Sequence, residues 1–222
     1  GRYTHAEKTL TRLSGQSSDK RRQVLAMLSA ARAAHEVSEF KRQDELLAQA
    51  QAAAASQSAD VDLNTALAAA AADLWLEQGR AEEALGALQV DHVQPMRHLH
   101  TMRLMLRVYQ QIQNHAKVLE LARALRRKDA ISQAEANNLI ESAAASMIRA
   151  AQAQKPATAD HKQDNKQAGK KDGQPTAAPS WEACWKELKS EEKVLPEVAL
   201  AGSQAFQAAG NYKEATKVLE AA

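Results

Sequence analysis

The stretch Trp75-Leu76-Glu77-Gln78-Gly79-Arg80-Ala81-Glu82-Glu83-Ala84-Leu85-Gly86-Ala87-Leu88 decides the fold of this 222-residue chain. It has the pattern of a helix end, a turn centred on glycine and a second helix that folds back on the first. Gly79 accommodates the positive φ that a tight helix–helix turn often requires. Ala84 is small enough for the two helices to lie close together, while Trp75 and Leu88 supply the apolar bulk between them. The stretch therefore predicts an αα-hairpin.

The same pattern recurs along the chain. Around Gly210 the agreement is close, because Phe206 lies four residues before the glycine and Ala215 five after it. A third copy begins at Gly1, and two less complete copies place Ser38 and Gln113 at the turn position. From Gly79 to Gln113 is 34 residues, and a helix–turn–helix unit of that length with these residue types resembles the tetratricopeptide (TPR) repeat. This resemblance implies an all-α fold, a TPR-like α-solenoid of antiparallel helix hairpins wound into a right-handed superhelix.

The composition fits that fold and excludes several classes of protein. Hydrophobic residues make up 45% of the chain and charged residues 25%, and no β-branched run with a period of two predicts a strand. A net charge of +2 is too weak to indicate nucleic-acid binding. The single cysteine excludes an intramolecular disulfide and a cysteine-based metal site. No apolar run is long enough to cross a bilayer.

One segment breaks the helical pattern. Residues 155–180 contain no Val, Ile, Leu, Met or aromatic residue, but three prolines and five lysines. Such a segment has nothing to bury, so it predicts a long disordered insert between helical repeats at residues 1–154 and 181–222. Because Gly1 lies at a turn position, we also expect the first helix of its repeat, and any targeting or membrane segment, to lie upstream of it.

No catalytic motif is present, so the sequence predicts a protein that is not an enzyme and holds no cofactor or metal. His92, His98 and His100 raise the alternative of a metal or haem site. His98 and His100 are two residues apart, about 200° around a helix, and do not converge on one ion from a single face. Cys184 is more simply a small core residue beside two tryptophans than a catalytic thiol.

A surface is the better candidate for function. On the helix that begins near Pro95, one polar face is predicted to lie opposite a stripe of Met102, Met105 and Tyr109; it comprises His100, Arg103, Arg107, Gln110 and Gln111. Arg32 and His35 occupy the corresponding face of an earlier hairpin. The TPR resemblance places these faces in a groove, where two arginines one helical turn apart hold a carboxylate. The alternative is that they form an ordinary solvated helix face.

Several longer phrases resemble the soluble TPR region of the HemY family of proteobacterial inner-membrane proteins. In chain order they are Gly1-Arg2-Tyr3, Ala31-Arg32-Ala33-Ala34-His35-Glu36, Leu104-Met105-Leu106-Arg107-Val108-Tyr109, Val118-Leu119-Glu120-Leu121 and Trp185-Lys186-Glu187-Leu188. The resemblance implies two transmembrane helices upstream of Gly1 and a TPR part at the cytoplasmic face of the inner membrane. It also implies a link to late protohaem synthesis. The function expected from it is a scaffold for other proteins, with haem-pathway enzymes as candidates; the alternative is a haem- or porphyrin-binding chaperone.

Overall fold

The computed structural model describes residues 2–55, 60–90, 93–153 and 180–222. Across those ranges the regular structure is entirely helical, which confirms the all-α prediction. It comprises a short 3-10 helix, Pro95–Arg97, and the α-helices α1 (Arg2–Gln16), α2 (Lys20–Glu36), α3 (Phe40–Ala55), α4 (Val61–Glu77), α5 (Ala81–Leu88), α6 (Leu99–Gln111), α7 (His115–Arg127), α8 (Gln133–Ala153), α9 (Trp181–Glu187), α10 (Ser190–Lys193), α11 (Pro196–Ala208) and α12 (Tyr212–Ala221). None of these helices is both long and apolar enough to cross a membrane. The predicted insert lies outside the described residues except for Ser180.

The chain divides into two compact units, Gly1–Asn114 and His115–Ala222. In the first unit, helices pack in adjacent pairs, α1 with α2, α2 with α3, and α4 with α5. Alternate helices pack as well, because α2 contacts α4 and α4 contacts α6. These three helices form the α2–α4–α6 layer.

Small residues form the contact surfaces of the first unit. Ala30, Ala31 and Ala34 of α2 are fully buried against leucines of α3 and against Ala71 and Leu74 of α4. Alanine brings helix axes close together, so the larger side chains of neighbouring helices fill the remaining space. The alanine-rich sequence of α2 and α4 is therefore the reason that hairpins stack so tightly.

Five helices end on the same turn. A residue with positive φ follows each of them, and in chain order these turn residues are Ser38 (61°), Gly79 (76°), Gln113 (57°), Asp129 (51°) and Gly210 (77°). The next residue then donates its N–H to the carbonyl five positions earlier, as Arg80 does to Trp75 at 2.8 Å and Asn211 to Phe206 at 2.8 Å. This is the Schellman turn, in which the left-handed residue reverses the chain while the last helical carbonyls stay hydrogen-bonded.

Four of these five turns were predicted from their sequence, including those at Ser38 and Gln113, which lack glycine. The turn at Asp129 was not predicted, because no aromatic or glycine marks it. The predicted hairpin around Gln113 spans the division between the two units, with α6 in the first and α7 in the second.

In the second unit α8 packs against α7, α9 and α11, and α11 packs against α12. Trp185 lies so close to Gly202 that a Cβ there would be 2.2 Å from the indole ring, which is why only glycine fits. Trp181 and Trp185 each contact Phe206 edge-on, with centroid distances of 5.0 and 5.7 Å. Cys184 is buried, and this burial raises the pKa of its thiol, in agreement with its predicted role as a core residue.

Two glycine substitutions with opposite expected effects test the importance of the turn. An added Cβ meets no atom within 4 Å at either Gly210 or Gly86, but Gly210 has a φ of 77° while Gly86 lies inside α5. We expect Gly210→Ala to lower the free energy of unfolding by about 1 kcal/mol, because a Cβ is strained in the left-handed region. Gly86→Ala should raise it by about 0.5–1 kcal/mol. Urea unfolding followed by circular dichroism measures both values, and equal signs for the two variants would contradict the assignment.

Candidate functional site

The turn residues place the helices of the α2–α4–α6 layer in one register. A charged residue lies six positions before each of three turn residues. These pairs are Arg32 and Ser38, Asp73 and Gly79, and Arg107 and Gln113. Arg107 Nη1 donates to Asp73 Oδ1 at 3.0 Å, and the Arg32 side chain is exposed. The three side chains form the charged row, in which cation, anion and cation occupy equivalent positions of the alternate helices α2, α4 and α6.

Helix α6 has a polar side and an apolar side. Met102, Met105 and Tyr109 are buried, while the five polar residues that sequence reasoning grouped on the opposite face are exposed, namely His100, Arg103, Arg107, Gln110 and Gln111. The sequence-predicted residues of this helix therefore share one surface.

The acidic side chains of α4 already contact polar groups of neighbouring segments. Asp73 pairs with Arg107, Asp62 lies 3.3 Å from Arg97 Nη1, and Glu77 lies 3.0 Å from His35. An external carboxylate that approaches Arg107 must therefore compete with Asp73. This competition was not foreseen, since it depends on the register between α4 and α6.

His35 has a structural position within the first unit. Its Nδ1 lies 2.9 Å from Gln43 Oε1 of α3, its Nε2 lies 3.0 Å from Glu77 Oε2 of α4, and its side chain is only 16% exposed. Gln78 Nε2 also donates to the fully buried Gln43 Oε1 at 2.7 Å. The predicted groove residue thus joins α2, α3 and the end of α4, while Arg32, one turn earlier, remains at the surface.

A second polar junction lies beside it. Trp75 Nε1 donates to Asp44 Oδ1 at 2.9 Å, and Arg80 Nη1 donates to Asp44 Oδ2 at 2.7 Å. The Arg80 guanidinium also lies 5.7 Å from the centre of the Trp75 ring, and its hydrogen bond to Glu83 is the main reason that its pKa is raised. Trp75 and Arg80 therefore link the α4–α5 hairpin to α3 of the preceding hairpin.

His98 and His100, the two described histidines of the predicted metal or haem site, lie at the surface. His98 and His100 are exposed, and His98 Nε2 lies 3.6 Å from Asp62. The described ranges contain no group of three or more His, Cys, Asp or Glu side chains able to hold a metal ion. His92 lies outside these ranges.

In the second unit the main polar contact is a buried ion pair that sequence reasoning missed. Arg123 Nε of α7 donates to Glu192 Oε1 of α10 at 2.8 Å, and Arg123 Nη2 donates to Glu192 Oε2. The Glu192 side chain is 3% exposed and also accepts the Lys189 backbone N–H at 2.9 Å. Burial alone would raise the pKa of Glu192, but these hydrogen bonds and the nearby positive charges outweigh it and hold the pKa below its ordinary value. A spacing of 69 residues between partners leaves no local sequence signal.

Two cavities in the described part of the chain can be compared with the requirements of catalysis. A cavity of about 380 Å³ along α7 is lined by charged groups that pair with one another, since Lys117 Nζ lies 2.8 Å from Glu120 Oε2 and Glu187 adds negative charge near Arg123. A cavity of about 300 Å³ in the first unit is lined mainly by Ala, Leu and Val. Neither presents a nucleophile beside a base.

Comparisons with protein-family models, with curated proteins and with solved structures find no match to this chain.

Neighbouring glutamates provide a matched test of the buried ion pair. Glu192→Gln should lower the free energy of unfolding by about 3 kcal/mol, because it leaves the charge of Arg123, whose side chain is only 21% exposed, without its counterion. Glu191→Gln removes only a 3.4 Å contact to Arg126 from a side chain that is 56% exposed, and it should cost less than about 1 kcal/mol. Urea unfolding of both variants at neutral pH measures the difference.

The same pair predicts a pH dependence. Because the folded-state pKa of Glu192 is depressed from 4.5, its contribution is fully present above about pH 4.5 and is lost as the pH falls through the folded pKa. The gap in stability between the unsubstituted chain and Glu192→Gln should therefore shrink below that pH. A gap that stays constant down to pH 3 would contradict the assignment.

Proposed function

We propose that this protein is a non-catalytic, TPR-like α-solenoid scaffold that binds other proteins through the exposed side of the α2–α4–α6 layer. The observation that carries the proposal is the charged row, in which Arg32, Asp73 and Arg107 occupy one equivalent position of the alternate helices α2, α4 and α6. Repeated presentation of side chains on stacked first helices is how repeat proteins build extended binding surfaces.

Packing within the first unit supports a repeat architecture. Each hairpin contacts the next through both of its helices, since α4 packs against α2 and α3, and α6 packs against α4 and α5. Nearest-neighbour packing of this kind is the defining property of a solenoid. The TPR-like repeat type and the right-handed superhelix belong to the proposal.

The surface favours a partner segment that carries carboxylates. The acidic residues of α4 are paired within the chain, whereas Arg32 forms no ion pair among the described residues. Arg103 and His100 add exposed donors on α6. On α4, Ala66 is exposed and Ala70 partly exposed, and both are small enough for a partner backbone to lie close to the helix.

We further propose that the chain belongs to a HemY-type protein at the cytoplasmic face of the bacterial inner membrane. The support is the ordered set of sequence phrases that resemble this family, including Ala31–Glu36 and Leu104–Tyr109 of the α2–α4–α6 layer. On this proposal, enzymes of late haem synthesis are the first partners to test.

Charge reversal on the layer tests the scaffold function. Arg32→Glu with Arg103→Glu should reduce the capture of haem-pathway enzymes at least tenfold, because two cations that face the partner become anions. Affinity capture with quantitative mass spectrometry measures the loss, and circular dichroism confirms unchanged helicity. Arg2→Glu with Arg12→Glu on α1 is the matched control, since both are exposed arginines outside the layer. Equal capture by the two double variants would refute the binding surface.

A titration with haemin addresses the chaperone alternative. Because His98 and His100 are exposed and not convergent, we expect no saturable Soret shift that depends on them. The measurement compares the unsubstituted chain with His98→Ala and His100→Ala. A saturable shift that is lost in these variants would favour the haem- or porphyrin-binding chaperone over the scaffold.

A further inference from the structure

Helix α4 carries its acidic side chains on one stripe. Asp62, Asp73 and Glu77 lie within about 60° of one another around the helix, and Ala66 and Ala70 lie along the same side. The helix contains no Lys, Arg or His. The stripe therefore presents carboxylates, and no cation of its own, to the helices on either side.

Two arginines flank this stripe at the level of Asp73. Arg32 of α2 and Arg107 of α6 occupy the position equivalent to Asp73, and α4 contacts both helices. Arg107 Nη1 donates to Asp73 Oδ1 at 3.0 Å, whereas Arg32 is exposed and forms no ion pair among the described residues. Asp73 therefore occupies one arginine of the charged row and leaves the other open to solvent.

The contact between Asp73 and Arg107 is of a kind that an external carboxylate can displace. The Arg107 side chain is 55% exposed and the Asp73 side chain 24% exposed. Their hydrogen bond uses Nη1 and one carboxylate oxygen, although a guanidinium can bind a carboxylate through two parallel N–H groups. Exposed ion pairs change an equilibrium constant by about fivefold or less. A bidentate external carboxylate is therefore a stronger ligand for Arg107 than Asp73 is.

We propose that Asp73 determines the selectivity of this surface, because it occupies Arg107 until an acidic segment of a partner protein displaces it. The inference rests on the proposed function, since it concerns the same surface. A ligand with one carboxylate binds at Arg32 and has no second group to exchange for that of Asp73. A segment with two carboxylates binds at Arg32 and then replaces Asp73 at Arg107, so the surface selects acidic segments over single carboxylates.

The spacing of the helices specifies the segment further. Packed helix axes lie about 8–10 Å apart, so the axes of α2 and α6, which both contact α4, are at most about 20 Å apart. An extended peptide spans about 20 Å in six residues. Acidic residues about six positions apart in an extended segment therefore reach both Arg32 and Arg107.

A labelled peptide tests the role of Asp73. The probe has two glutamates at each end of a Gly/Ser spacer of about five residues. It is titrated with the full chain at low salt, with fluorescence polarisation as the readout. We expect Asp73→Asn to bind the peptide about three- to fivefold more tightly than the unsubstituted chain, because Arg107 no longer has a competing carboxylate. Asp73→Glu, which restores the carboxylate, should bind as the unsubstituted chain does.

Two further variants separate this competition from a general effect of charge. Asp62→Asn makes the same change of charge on the same stripe, but Asp62 contacts Arg97 outside the charged row, so it should alter the affinity less than about twofold. Arg107→Gln should abolish the gain from Asp73→Asn, because no guanidinium is left to release. Circular dichroism checks that all variants remain helical.

The possible outcomes distinguish this inference from the proposed function. Equal peptide affinity for Asp73→Asn and the unsubstituted chain, or equal gains from Asp73→Asn and Asp62→Asn, would overturn the role of Asp73. The absence of saturable binding by every variant would overturn the acidic ligand. The proposed function fails on a different result, namely equal capture of haem-pathway enzymes by Arg32→Glu with Arg103→Glu and by the control variant of α1.

Discussion

The left-handed turn at the end of a helix is the constraint on which the rest of the structure depends. A Schellman turn fixes the last helical carbonyls and reverses the chain within two residues, so the following helix begins at a defined place. Counting from Ser38, Gly79 or Gly210 then gives equivalent positions in every hairpin. The alternation of Arg32, Asp73 and Arg107 and the burial of Leu47 and Leu88 are both consequences of that shared register.

The residue that occupies the turn matters less than the hydrogen bonds around it. Ser38 and Gln113 adopt φ values of 61° and 57° although they carry a Cβ. That conformation is costly for an L-residue, of the order of 1–2 kcal/mol, so packing of the flanking helices must outweigh it. Alanine-rich contacts provide that packing in the first unit, where Ala30 and Ala34 are fully buried. The turn at Ser38 is thus tolerated because the helices on both sides of it, α2 and α3, pack firmly against each other.

These local rules explain how much of the fold was predictable. The helices and four of the five turns follow from periodicity and from the offsets around Gly79, because a turn and its neighbours are close in sequence. The turn at Asp129 was not predicted, because it resembles the other turns only in its backbone geometry and not in its sequence. The polar contacts also escaped: Asp44 with Trp75 and Arg123 with Glu192 join residues 31 and 69 positions apart. Partners at such distances leave no pattern in a single sequence.

The candidate binding surface was also only partly predictable from the sequence. Periodicity placed His100, Arg103 and Arg107 on one face of α6, which is a property of the helix alone. The TPR resemblance placed His35 in the groove, and that role stays a prediction. The contacts of its ring with Gln43 and Glu77 could not be predicted, because the faces of α2 that meet α3 and α4 depend on helix packing. A histidine one turn from an exposed arginine therefore became a link between three helices. In a stacked array, whether a polar residue binds a partner or joins two hairpins is decided by the neighbouring hairpin, so surface residues are best assigned after the register of the turns is known.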